Sequence, residues 1–190
     1  MKETITVIIP VNRQEDREYL ISSIKALARS PAISKILLVC GAGFNHDNLP
    51  EYPSILTVIK VDHLHKKKDL ISIAIEKVNT SLTLLLDSDC IIPDKAITKL
   101  ETLIECTSPS TLAYQFPVIP FPATTTIIQK LNLSISIHGI LLNLLYSTLM
   151  NNLLFGSGRC ILWKTNQYKQ YFAEYMVSGI NYGDDDITLQ

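Results

Sequence analysis

Two aspartates separated by one residue follow an apolar run in residues 80–94, which read TSLTLLLDSDCIIPD. Residues 81–86 are apolar on both faces of a strand, as in a parallel sheet that is covered on each side. Because side chains alternate along a strand, Asp87 and Asp89 are expected to point the same way, with α-carbons about 7 Å apart. Two carboxylates that close repel unless a cation lies between them, so the pair predicts a site for a divalent metal, Mn²⁺ or Mg²⁺.

The alternative interpretation of Asp87 and Asp89 is structural: they belong to a turn and bind no metal. A D-x-D motif occurs often by chance, and an aspartate after a buried strand is a common turn former or helix N-cap. Position in the fold favours the metal, because ligand crevices of open α/β sheets lie at the carboxyl ends of the strands.

A second acidic cluster, Asp184, Asp185 and Asp186, follows Gly183 near the end of the sequence. Three adjacent carboxylates without a basic neighbour indicate either a solvated loop or part of a cation-dependent site. Residues 155–165, FGSGRCILWKT, precede them, and glycines such as Gly158 allow a backbone to approach a ligand closely. The single tryptophan, Trp163, is either a core residue or a platform for a sugar ring.

Strands and helices alternate through the first half of the chain in units of about thirty residues, which predicts parallel crossovers. Apolar spacing predicts strands over residues 4–10, 35–40, 55–61, 81–86 and 111–118 and helices over residues 15–29, 66–78 and 94–106. A Rossmann-like half is therefore expected before residue 106.

Composition limits the partners. The chain has 190 residues, 47% of them hydrophobic, and a formal net charge of −1, so we expect one domain with a substantial core and no nucleic acid partner. Four cysteines without C-x-x-C spacing predict reduced, mostly buried thiols. The start MKETITVIIP does not resemble a signal peptide, and we expect a cytoplasmic protein.

Residues 131–155 carry no formal charge and are long enough to span a bilayer. Asparagines, serines and His138 interrupt the stretch, and each of them is costly in hydrocarbon. We therefore expect a buried or interfacial helix that does not cross the membrane, which allows peripheral contact with a membrane surface.

Four elements occur in a suggestive order: the TVIIPV strand, the D-S-D after a leucine run, a Gly-rich segment that ends in a W-K pair, and the G-D-D cluster. Together they resemble family 2 glycosyltransferases of the GT-A fold over essentially the whole chain. The resemblance implies an α/β fold, Rossmann-like, with a mixed, mainly parallel central sheet flanked by helices. It also implies one domain, residues 1–190, with a nucleotide-sugar-binding half over residues 1–106 and an acceptor-side half over residues 107–190.

The resemblance implies a role for each matched residue. Asp87 and Asp89 would hold the metal and the ribose–diphosphate of the donor, and one aspartate of the second cluster would deprotonate the acceptor. The G-D-D alignment favours Asp185 as this base, whereas matching ITLQ to the family's L-T-L-R ending favours Asp184, and Asp186 is the third catalytic candidate. The remaining candidates are Pro10, Val11, Asn12, Arg13, Lys67 and Ser88 on the donor side and Gly158, Trp163 and Lys164 on the acceptor side.

The sequence also departs from the family pattern. Cys40 and Gly41 occupy the place where members carry an acid that holds uracil, Ser72 replaces an asparagine, and no Q-x-x-R-W motif follows the acidic cluster. The function that the resemblance implies is metal-dependent, inverting transfer of a sugar from a UDP- or GDP-sugar to a hydroxyl of a glycan or lipid.

Two alternatives stay open. One is a catalytically inactive nucleotide- or sugar-binding module of the same fold. The other is a sugar nucleotidyltransferase, which normally has a glycine-rich phosphate loop after its first strand, whereas PVNRQEDRE contains no glycine.

Overall fold

The computed structural model describes residues 4–12, 17–45, 47, 49–52, 54–62, 66–105, 113–116, 134–135, 137–142, 145 and 160–178. In chain order the elements are β1 (Ile5–Val11), α1 (Arg17–Leu27), β2 (Ile33–Cys40), β3 (Leu56–Lys60), α2 (Lys67–Ile75), β4 (Leu82–Leu86), α3 (Asp94–Glu105), β5 (Ala113–Gln115), β6 (Cys160–Lys164) and α4 (Thr165–Ser178). The predicted strands and helices of the first half are confirmed, with small shifts at their ends.

The six strands form one sheet in the order β3-β2-β1-β4-β6-β5. Neighbours among β1 to β4 pair in parallel, and β6 runs antiparallel to both β4 and β5. This is the mixed, mainly parallel sheet that the sequence predicts. The chain builds the sheet in one direction through β3 and then returns to the other side of β1 to form β4. The order therefore reverses between β1 and β4, which is where such sheets bind ligands.

Helices cover both faces of the sheet. One core cluster joins Ile24 of α1 and Leu100 of α3 to Leu84 and Leu86 of β4. The other joins Leu70 and its neighbours on α2, and aromatic residues of α4, to Leu85 of β4. All five residues of β4 are buried, because each face of the strand meets a helical layer.

The last strand and helix in the described part of the chain, β6 and α4, were not predicted from the sequence. β6 is a five-residue apolar run, too short to show a period, and it pairs with β4, which lies about eighty residues earlier. Trp163 of this strand is only 4% exposed and belongs to the core under α2 and α4. Its ring stacks on Tyr168 with a centroid distance of 5.3 Å. The burial of Trp163 favours the core interpretation over the sugar platform.

The described part of residues 134–145 is helical. Its large apolar side chains lie at the surface: Ile135 is 63% exposed and Leu145 is 58% exposed. These side chains are therefore not packed into the core of the sheet. No helix within the described residues is both long and apolar enough to cross a bilayer.

We predict that Trp163→Ala lowers the free energy of unfolding by about 3–5 kcal/mol, the usual cost of truncating a buried aromatic residue. Trp163→Phe should cost far less, because the buried indole Nε1 of Trp163 has no hydrogen-bond partner among the described residues. Urea unfolding followed by circular dichroism measures both variants. The control is Tyr171→Ala, which truncates an aromatic residue that is 37% exposed on α4. Equal losses for Trp163→Ala and Tyr171→Ala would contradict the core assignment.

Candidate functional site

The candidate site lies along the carboxyl edge of the sheet, by which we mean the ends of β1, β2 and β4. Helix α2 follows β3 and returns antiparallel to the strands, so its first turn lies at this same edge. The edge therefore brings together Asn12 after β1, Gly41 after β2, Lys67 at the start of α2 and Asp87 after β4. It coincides with the reversal of strand order between β1 and β4.

The two aspartates of the D-S-D motif belong to a turn. β4 ends at Leu86, and the backbone N–H of Cys90 donates to the carbonyl of Asp87 at 3.1 Å. Asp87 is half-buried, whereas Asp89 is exposed. Strand alternation therefore does not extend to these two residues, because the strand ends at Leu86, and their shared direction stays a prediction. The turn therefore carries one half-buried carboxylate, that of Asp87, and one exposed carboxylate, that of Asp89.

Asp87 forms an ion pair with Lys67. Lys67 Nζ lies 2.8 Å from Asp87 Oδ1, and the two side chains are 30% and 21% exposed, respectively. Leu85, two residues before Asp87, belongs to the core cluster that α2 covers, so this face of β4 leads to the first turn of that helix. The contact shows that Lys67 belongs to the same constellation as the D-S-D turn.

The first turn of α2 concentrates positive charge. Lys66, Lys67 and Lys68 begin the helix, where the positive end of the helix dipole disfavours cations. Asp69 opposes part of this charge and accepts a hydrogen bond from the backbone N–H of Lys66 at 3.0 Å. Lysines in the first turn therefore destabilise the isolated helix. They suit an anion-binding site, however, because the free backbone N–H groups of the first turn and the lysine side chains both attract negative charge.

Asn12 packs against Gly41, the residue that follows β2. A β-carbon added to Gly41 would lie 2.0 Å from Asn12 Oδ1, and one added to Gly43 would lie 2.7 Å from the Asn12 carbonyl oxygen. The two glycines therefore make room for Asn12. Pro10 and Val11 are buried in the sheet, so among the described donor-side candidates at the end of β1 only Asn12 is partly exposed.

The thiols beside the edge are poor nucleophiles. Cys160 pairs with Leu86 across the β4–β6 ladder, and burial, followed by the nearby charge of Asp87, raises the pKa of its thiol to about 12. Burial likewise raises the pKa of Cys40 to about 11, although Lys60 opposes this shift. Both thiols, like that of Cys90, are buried and form no disulfide with another described residue, as the sequence predicts. Neutral buried thiols make cysteine chemistry at this edge a poor explanation of the site.

The donor atoms at the edge suit a hard cation that arrives with a phosphate ligand. Mg²⁺ and Mn²⁺ are often held by one or two carboxylates, with phosphate and water oxygens completing the coordination. Asp87 and Asp89 are two such carboxylates. Within the described residues no group of three or more histidine, cysteine, aspartate or glutamate side chains forms a complete protein cage. The chemistry of this turn therefore fits a metal that is shared with a substrate.

Several other candidates lie elsewhere. Lys164 pairs with Leu82 at the start of β4, because β6 runs antiparallel to that strand. The structure thus places Lys164 at the end of β4 opposite to Asp87, roughly 17 Å away at 3.3 Å per residue, with the buried Trp163 next to it. It does not bring these two acceptor-side candidates to the carboxyl edge. The remaining candidates, Arg13, Gly158, Asp184, Asp185 and Asp186, lie outside the described residues.

The chain is similar over nearly its whole length to two solved structures. One is the mannosyltransferase PcManGT from Pyrobaculum calidifontis in complex with GDP-Man and Mn²⁺, with a TM-score of 0.57 and 13% identity over 98% of this chain and 50% of that chain. The other is the 4-diphosphocytidyl-2C-methyl-D-erythritol synthase from Anaerococcus prevotii DSM 20548, with a TM-score of 0.59 and 12% identity over 97% of this chain and 80% of that chain.

No protein-family model matches the sequence, and no curated protein matches it either. At 12–13% identity the structural similarities show the fold, a GT-A-like mixed α/β sheet flanked by helices. The chain spans about half the length of the mannosyltransferase that it resembles.

We predict that Lys67→Met lowers the free energy of unfolding by about 1–2 kcal/mol, between the values for exposed and for fully buried ion pairs. The reason is that the half-buried Asp87 loses the ammonium group at 2.8 Å. A double-mutant cycle with Asp87→Asn measures the coupling by chemical unfolding. Lys99→Met, on the exposed face of α3, is the control. Additive effects of Lys67→Met and Asp87→Asn would contradict the pairing.

Proposed function

We propose that this chain is a glycosyltransferase that moves a sugar from a nucleotide-diphosphate sugar to an acceptor hydroxyl, with a divalent metal and with inversion. The observation that carries the proposal is the constellation at the carboxyl edge. An acidic turn follows the central strand at the point where strand order reverses, and the lysine-rich first turn of α2 lies against it. Carboxylates for a metal next to lysines for a diphosphate match the headgroup of a nucleotide-sugar donor.

Asp87 and Asp89 would hold the metal, Mn²⁺ or Mg²⁺. When bound, the metal would stabilise the negative charge that develops on the departing nucleoside diphosphate. Lys67 would remain close to Asp87 and contribute its charge to the phosphate side of the site. The half-buried carboxylate would thus be neutralised by a lysine in the free protein and would share a metal in the complex. Similarity to a mannosyltransferase that carries GDP-Man and Mn²⁺ supports this donor chemistry.

Asn12 would face the nucleobase. Its Oδ1 is buried against Gly41, so the two amide hydrogens are the groups that it offers to a base. Uracil and guanine both present carbonyl oxygens that accept such hydrogen bonds, so the amide is compatible with UDP- and GDP-sugars alike. A carboxylate, in contrast, only accepts hydrogen bonds. Ser88, half-buried within the turn, and Arg13 complete the proposed donor side, together with the backbone of Pro10 and Val11.

Asp185 would act as the general base, with Asp184 and Asp186 as its neighbours in the cluster. An acceptor hydroxyl is a weak nucleophile, and one positioned carboxylate must take its proton as it attacks the anomeric carbon. A single base opposite a single leaving group leads to inversion. The acceptor would be a glycan or a lipid, and the Gly-rich segment with Gly158 would approach it on the second half of the chain.

A sugar nucleotidyltransferase is the second candidate. The similarity to a 4-diphosphocytidyl-2C-methyl-D-erythritol synthase, over 97% of this chain, favours it. The absence of glycine in PVNRQEDRE disfavours it, because a triphosphate is usually cradled by a glycine-rich loop after the first strand. The products separate the two functions: a glycosyltransferase releases a nucleoside diphosphate, and a nucleotidyltransferase releases pyrophosphate. A module that only binds nucleotide or sugar would release neither.

We predict that Asp89→Asn abolishes metal-dependent binding of the donor without loss of the fold, because Asp89 is exposed at the end of the core strand. Asp185→Asn should instead leave donor affinity nearly unchanged and lower turnover by about 10²–10⁴-fold, the scale for loss of a general base. Isothermal titration with UDP- and GDP-sugars, with and without Mn²⁺, measures binding. Release of nucleoside diphosphate measures turnover.

Asp94→Asn, an exposed carboxylate at the start of α3, is the matched control for both variants. Metal-dependent binding that survives in Asp89→Asn would remove the metal assignment. Binding without release of nucleoside diphosphate or pyrophosphate in the unsubstituted protein would identify a binding module.

We predict that the apolar helical face of residues 134–145 rests on a bilayer surface, near a lipid acceptor. Leu141 and Leu142 are 57% and 56% exposed, and the surrounding residues 131–158 carry no formal charge. Leu141→Gln with Leu142→Gln should lower partitioning onto phosphatidylcholine vesicles at least tenfold, since each buried leucine contributes about 1.5 kcal/mol or more. Ile91→Gln, which changes an exposed isoleucine elsewhere, is the control in the sedimentation assay. Equal partitioning of all three proteins would exclude the contact.

A further inference from the structure

A buried serine on α1 contacts the segment that follows the two aspartates. Ser23 is 1% exposed and lies within the apolar stripe of the helix, between Leu20 and Leu27. Serine is a weaker helix former than alanine and contributes no apolar surface to this stripe. Its hydroxyl therefore has a role outside the helix.

The Ser23 hydroxyl is used both as donor and as acceptor. Its Oγ donates to the carbonyl of Cys90 at 2.6 Å and accepts from the backbone N–H of Ile92 at 3.4 Å. The N–H of Cys90 in turn donates to the carbonyl of Asp87. The Ser23 side chain thus fixes the backbone that follows the turn, at Cys90 and Ile92, and β4 fixes the backbone that precedes it, up to Leu86.

We infer that Ser23 is a positioning residue that holds the turn Asp87–Cys90 in the geometry that a metal and a nucleotide require. The inference rests on the proposed function. Asp89 is exposed, and its Oδ1 accepts a hydrogen bond from Cys90 Sγ at 3.7 Å, so the position of Cys90 determines where the carboxylate lies. A shift of the Cys90 carbonyl moves Asp89, which is the preceding residue. Outer contacts that orient metal ligands in this way commonly change metal affinity about 10–100-fold when they are removed.

Removal of the hydroxyl leaves a buried carbonyl at Cys90 without its donor. An unpaired buried acceptor is destabilising, and the loop lowers this cost by moving toward water. Movement of the loop carries the acidic turn away from Lys67 and from the end of β1. A serine with a purely structural role would instead lower stability and leave ligand affinity unchanged.

The test compares Ser23→Ala with Thr83→Val. Thr83 is also fully buried, and its hydroxyl forms one hydrogen bond with Thr165 at 2.8 Å, farther from the turn along β4. Both variants are expected to lose similar free energy of unfolding in urea. Only Ser23→Ala should weaken Mn²⁺-dependent binding of GDP or UDP, by about tenfold or more, in isothermal titration. Ser23→Cys keeps a weak donor of similar size and should lie between Ser23→Ala and the unsubstituted protein.

Hydrogen exchange gives a second measurement that needs no ligand. The amides of Cys90 and Ile92 should exchange faster in Ser23→Ala than in Thr83→Val at matched stability. Equal nucleotide affinity in Ser23→Ala and Thr83→Val would overturn the inference and leave the proposed function intact. Absence of metal-dependent binding in the unsubstituted protein would overturn the proposed function, and exchange at these two amides would then decide alone whether Ser23 fixes the turn.

Discussion

The burial of β4 on both faces is the constraint on which the rest of the structure depends. This strand lies between β1 and β6, and each of its five residues is buried. A charged side chain inside such a strand would lose its hydration without compensation, so carboxylates can follow it only at its end. The same sheet that requires leucine at positions 84 to 86 therefore places Asp87 and Asp89 at the carboxyl edge. The burial of β4 therefore determines both the packing of the core and the position of the candidate site.

The ion pair between Lys67 and Asp87 connects this strand to the helix that crosses over to it. α2 packs on the sheet through Leu70 and Ala74, and its first turn extends past the core to the edge. Packing of the apolar stripe fixes the helix, and the helix in turn presents its lysines to the acidic turn. Polar contacts between Lys67 and Asp87 and between Ser23 and the Cys90 backbone hold the turn from opposite faces of the sheet. A site on a turn thereby gains the support of two helices.

Most of the fold could be predicted from the sequence because residues 4–105 show clear periods. Apolar runs alternate with helical stripes, and each unit makes contacts that are close in sequence. β6 could not be predicted, since a five-residue run has no measurable period and its partner strand lies far away along the chain.

The types of residues at the site were predictable from D-S-D and from Lys67. The orientation of these residues could not be predicted, because the strand ends at Leu86. The backbone beyond it is set by the hydrogen bond from the N–H of Cys90 to the carbonyl of Asp87, and strand alternation no longer applies. The location of the Trp163–Lys164 pair could not be predicted from the sequence either. Only the antiparallel register of β6 on β4 shows that the two residues lie away from the carboxyl edge.

The contact between Asn12 and Gly41 constrains how this protein can change over evolutionary time. Any side chain at position 41 would place its β-carbon 2.0 Å from Asn12 Oδ1. An acid at position 41 is therefore compatible with the fold only after residue 12 has become smaller or has turned away. The two positions are therefore coupled, because a side chain at position 41 requires Asn12 to be replaced or to adopt another rotamer. A local packing contact thus restricts which single substitutions the end of β2 accepts.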